Sequence, residues 1–297
     1  MTRAQRFGNA HPYWLSTGVE ISFKKSIYHN LNYYFYEKRN FWSPFFAKSL
    51  FANYHCTFMA FSDCYPFLGE AFKPLLLVSM IMVGVGTYIA GKFVFRDGFE
   101  NAGWQWGKPR HYLYAFGLAL FLWAFPRVIE QLLGIYEAPQ DVSTTTILAE
   151  FLFSFTITLI PAFGEEFGWR GYLLPRLFAR YTTRYALLLH GFITWVWHLP
   201  VIVVMGTQIA GNPLVSVSLV MLVSLIPTVM HAVVFAYIWS STQSLAVSTV
   251  YHAAFDEVRD SIEGTAGLGP LSQNWQMLIL TILGIALLWK AKWKKNS

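Results

Sequence analysis

An all-α, polytopic membrane bundle of about seven to eight transmembrane helices is the fold class this sequence predicts, and three observations predict it. Hydrophobic residues fill 55% of 297 positions and charged residues only 13%, about half the charge of a typical soluble domain. Six apolar runs, roughly 72–95, 111–134, 144–163, 185–205, 214–240 and 273–290, approach the ~20 residues a helix needs to cross hydrocarbon. The net charge of +6 sits in short cationic blocks between those runs, as in membrane flanks. No nucleic-acid motif accompanies it, so the expected partners are membrane lipids rather than nucleic acid.

Taken in order, residues 1–65 read as an N-terminal extension. Arg3, Arg6, His11, Glu20, Lys24 and Lys25 make its start too polar for a signal-peptide core. The stretch 41–68 is aromatic but holds Lys48, His55 and Asp63, which suits an interfacial segment or one weak crossing. Translation starting at Met59 would make 1–58 dispensable, an expectation that an inactive truncation would overturn. Cys56 and Cys64 form no CxxC pair and no metal-spaced cluster.

Residues 66–297 show no repeat or linker and read as one transmembrane domain. Their apolar runs must be helical, because lipid cannot satisfy the backbone of an isolated strand. A shorter run, 243–255, is expected to cross only in part. Lys290, Lys292, Lys294 and Lys295 assign the C-terminus to the cytoplasm. Counting crossings back puts Arg170, Arg176, Arg180 and Arg184 inside, together with Lys92, Arg96, Lys108 and Arg110. The acidic stretches at 137–141 and 256–263 fall outside. Lys24, Lys25, Lys38, Arg39 and Lys48 also argue for inside, which an extra crossing near 41–68 would satisfy.

The chemistry gathers at Glu165 and Glu166, adjacent carboxylates at the end of an apolar run. Ionisable groups at membrane depth are costly and need a reason. On a helix Arg170 lies one turn beyond Glu166 and can pair with it, while Glu165 points about 100° away. A desolvated glutamate without a cation suits proton transfer, so Glu165 is the candidate general base. A topogenic charge cluster is the plainer alternative for such a pair standing alone. His198 and the i,i+4 pair His252 and Asp256 bring further ionisable groups to depth on two other apolar segments, as a buried reaction centre requires. His231 fits no such pattern and reads as structural.

Glu165-Glu166-x-x-x-Arg170, then His198 in an aromatic setting, then His252-x-x-x-Asp256, each on its own apolar segment, resemble the CAAX protease and bacteriocin-processing family. That family includes the Ras-converting CAAX endopeptidases. The resemblance spans roughly 72–290 and is strongest at 163–200 and 235–256. Two positions depart from the family pattern: Thr194 stands at the aromatic position of the second motif, and Asp256 replaces a common asparagine.

The resemblance implies an intramembrane endopeptidase that needs no metal cofactor and acts on a peptide or membrane-anchored protein. Glu165 and His198 would activate water, and His252 with residue 256 would stabilise the oxyanion, while Glu166 and Arg170 hold the helix end. An ionised aspartate cannot donate a hydrogen bond, so Asp256 acts as donor only when protonated and otherwise orients His252. The alternatives are a zinc protease using His198, His252 and a carboxylate, a proton-coupled transporter, and a non-catalytic immunity or scaffold protein. Prenylated CAAX proteins, bacteriocin leader peptides and membrane-bound signalling proteins are all compatible substrates.

Overall fold

The structure, a computed structural model, describes residues 72–135 and 144–294. The N-terminal extension, both cysteines and Met59 lie outside the described residues. The described residues are mostly helical and contain no β-strand, in line with the all-α expectation. Its elements are α1 (Phe72–Ile89), α2 (Pro109–Leu132), α3 (Thr144–Glu166), α4 (Leu174–Arg180), α5 (Thr183–Trp197), α6 (Leu199–Thr207), α7 (Pro213–Thr242), α8 (Leu245–Ala266) and α9 (Pro270–Lys290). Among the described residues, five helical stretches are long and apolar enough to cross a membrane, or six if the bent pair α5 and α6 counts as one.

Three boundaries differ from the apolar runs. The run ending at 163 is part of a continuous stretch, Thr145–Arg180, in which α3 passes through a π-helical segment, Phe167–Leu173, into α4. The 185–205 run breaks at His198, where α5 and α6 meet at 50°. Pro200 lacks the N–H that would continue the ladder and restricts the residue before it. The short run at 243–255 is the first part of α8, which continues through Asp256, Asp260 and Glu263 to Ala266.

Helix α8 packs between α2 and α3, α7 gathers α5, α6 and α9, and α1 lies along α3. Water does not drive such contacts inside lipid, so close van der Waals fit and small residues must carry them. Gly84 and Gly164 meet backbone to backbone: a Cβ at Gly164 would stand 2.9 Å from the Met80 carbonyl oxygen. Gly168, one turn on, faces Val83 and Thr87. This contact seats α1 directly beside Glu165.

One end of the bundle is basic. Arg176 pairs with Asp97 at 2.7 Å, Arg184 lies 4.2 Å over the Trp289 ring, and the Lys294 backbone is clasped by Ser240. These contacts bring the cationic segments near 97, 176, 184 and 294 to the same end. At the other end Glu130, on α2, accepts hydrogen bonds from Leu271 N, Ser272 N and Ser272 Oγ and so caps α9.

Candidate active site

Glu165 and Glu166 end α3, 4% and 0% exposed. The π-helical turn that follows widens the backbone here, a local cost that recurs at functional sites. Arg170 Nη1 donates to Glu166 Oε1 at 2.9 Å, the pairing the i,i+4 spacing predicts. Its guanidinium also lies 4.0 Å over the Phe235 ring, contributed by α7.

The same Glu166 oxygen faces His252 Nδ1 at 2.8 Å. A carboxylate oxygen accepts, so this nitrogen carries its proton. His252 Nε2 lies 3.5 Å from Asp256 Oδ2, and the other Asp256 oxygen lies 3.4 Å from Arg259 Nη1. Asp256 therefore stands between the His252 ring and the Arg259 guanidinium, one oxygen toward each. Glu166, Arg170, His252, Asp256 and Arg259 form one continuous polar network. Glu166 Oε2 has no hydrogen-bond partner among the described residues.

Glu165 is held differently. Trp169 Nε1 donates to its Oε2 at 3.2 Å, and no cation pairs with it among the described residues. The Trp169 ring packs edge-on against Trp197, centroids 5.9 Å apart, which joins the motif helix to the residue before His198. His198 caps α5 at the helix break, with Nδ1 2.7 Å from the Thr194 carbonyl oxygen. Glu165 lies within electrostatic reach of His252. Both His198 and His252 lie within reach of His231, which hydrogen-bonds Tyr251 Oη at 3.0 Å and packs on Phe235 and Phe255.

Counted from the cytoplasmic ends expected from the sequence, Glu165 falls near the boundary, His252 about 13–15 Å deep and His198 about 20 Å deep, which a tilted or broken helix near Pro161 would reconcile. The helix is not broken there: it runs past Pro161 to Arg180, so Glu165 lies within a candidate span, and Glu166 meets His252 directly. Among the described residues, no group of three His, Cys, Asp or Glu side chains, the set of His198, His252 and a carboxylate included, is arranged to hold a metal ion.

Three participants escaped the sequence reading. Trp169 stands at i+4 from Glu165, so helical spacing alone could have found it. Thr194, noted only as a departure from an aromatic, supplies a backbone oxygen, which side-chain identity does not encode. Phe235, under Arg170, lies 65 residues away in sequence and carries no local signal.

Residues 146–258, which contain all six candidate residues, match the family described as type II CAAX prenyl endopeptidase Rce1-like. No curated protein matches the chain.

Proposed function

We propose that Glu165 and His198 jointly activate the water that cleaves a peptide bond, a reading supported by the match of residues 146–258 to the type II CAAX prenyl endopeptidase Rce1-like family on an apolar multi-helix chain. The hydrogen bond between His198 Nδ1 and the Thr194 carbonyl carries the reading. A carbonyl only accepts, so Nδ1 bears the proton and the neutral ring keeps its lone pair on Nε2. Glu165, with one indole N–H on one oxygen, retains acceptor capacity for a water proton.

In the reaction, the water oxygen attacks the peptide carbonyl carbon while its proton passes to the Glu165 and His198 pair. With Nδ1 already donating to Glu166, His252 acts in this reading as the imidazolium, and the resulting oxyanion accepts a hydrogen bond from its Nε2. That N–H is held only loosely, at 3.5 Å from Asp256, and can turn to the developing charge. Collapse breaks the C–N bond, and the proton taken from water leaves with the amine. Asp256, paired also with Arg259, orients His252 as an acceptor. Glu166 and Arg170 fix the ring from its Nδ1 side.

The substrate in this reading is a peptide delivered at the membrane, with the chain's C-terminal tail on the cytoplasmic side. Purified full-length protein in liposomes, given matched prenylated and unprenylated peptides, tests it. Glu165→Gln is expected to abolish cleavage of whichever peptide is cut, with unchanged expression. Wild-type turnover in that variant would overturn the assignment. Loss of peptide termini between wild-type and variant membranes identifies the natural substrate.

A further inference from the structure

We infer that the basic end of the bundle holds a binding pocket for a phosphate-bearing anion, presented there as the headgroup of an anionic lipid. A cavity of about 480 Å³ opens between the loop before α2, the first turn of α2, the end of α7 and the C-terminal tail. Lys108, Arg110, His111 and Lys294 line it, and none of its lining residues is acidic. Cations brought together without a counter-charge repel one another, an arrangement that an anion relieves.

The cluster is built rather than incidental. Ser240 Oγ donates to the Lys294 carbonyl and accepts from Lys294 N, both at 2.9 Å, so the tail is tied across the end of α7. Trp293, next to it, packs against Phe178 and Tyr237. On the opposite wall Tyr112 donates its hydroxyl hydrogen to the Trp106 carbonyl and pins the loop. Lys108 N donates to His111 Nδ1 at 3.1 Å, so the neutral imidazole carries its hydrogen on Nε2 and is a donor there.

Depth selects the source of the anion. The pocket adjoins the start of one candidate span at Pro109, the end of another at Thr242, and the residues just past a third that ends at Lys290. Three span ends mark headgroup level, where phospholipid phosphates concentrate and basic pockets between helices hold them. Trp106, 80% exposed at the rim, is the amphipathic side chain such a boundary favours.

The test uses the full-length protein in a zwitterionic detergent and follows its thermal midpoint during titration. Short-chain phosphatidylglycerol is expected to raise the midpoint saturably, phosphatidylcholine of equal chain length to leave it unchanged, and sodium phosphate to act only at far higher concentration. A triple variant, Lys108→Gln, Arg110→Gln and Lys294→Gln, is expected to weaken the phosphatidylglycerol response by about tenfold or more. If the triple variant does not fold, Lys294→Gln alone, in the tail, must shift the same titration. Equal responses to the two lipids, an unshifted titration in the variants, or a phosphate response as strong as the lipid's would each overturn the proposal. None of these readouts depends on peptide cleavage, so the inference stands or falls apart from the catalytic reading.

Discussion

Glu130 and Glu166 are both fully buried glutamates on candidate membrane-spanning stretches, yet they are satisfied in opposite ways. Glu130 spends both oxygens on the open end of α9, taking two backbone N–H groups and one hydroxyl. Glu166 concentrates Arg170 and His252 on a single oxygen and leaves the other without a partner among the described residues. Glu165, next to it, accepts a single indole N–H. A buried carboxylate saturated by fixed dipoles is a structural cap. One that keeps lone pairs open is the kind that the proposed proton transfer requires.

That contrast can be broken in order of effect. Glu165→Gln is expected to cut kcat by about 10²–10⁴-fold while the thermal midpoint stays at the wild-type value, because it removes a proton acceptor and little packing. A large drop in midpoint would instead make Glu165 a structural residue like Glu130. Glu166→Gln uncouples Arg170 and His252, so it should lower stability by about 3–5 kcal/mol in denaturation and reduce cleavage as well. Glu130→Gln is expected to cost about 1.5–3 kcal/mol of stability with kcat retained. A kcat loss larger than the stability loss explains would erase the distinction. Asp256→Asn, which keeps an acceptor oxygen toward His252, should change kcat/KM by about tenfold or less, whereas Asp256→Ala should cost more. The reverse order would make the residue's charge, rather than its acceptor geometry, the working property.

The fold was legible because lipid forbids most alternatives: long apolar runs with few charges can only be helices. The same rule misled at two charged boundaries. Glu165-Glu166 interrupts an apolar run, yet the helix continues because Arg170 and His252 neutralise the charge from within the bundle. Asp256 interrupts another, and α8 continues because Arg259 and Thr158 engage its acids. Hydropathy counts charges one at a time, whereas the bundle meets them in pairs, some along one helix and some between helices. At the candidate site, the i,i+4 partners were readable, Glu166 with Arg170 and His252 with Asp256. The contact between Glu166 and His252, 86 residues apart, has no local trace. The helix break at His198 lay in plain view at Leu199-Pro200.

The meeting of Gly84 and Gly164 has a mechanical consequence. With no side chain between them, two backbones touch one residue before the candidate base, and there is no soft material to absorb a displacement. A tilt of α1 would therefore press directly on the backbone next to Glu165, with no side chain between the two helices to yield.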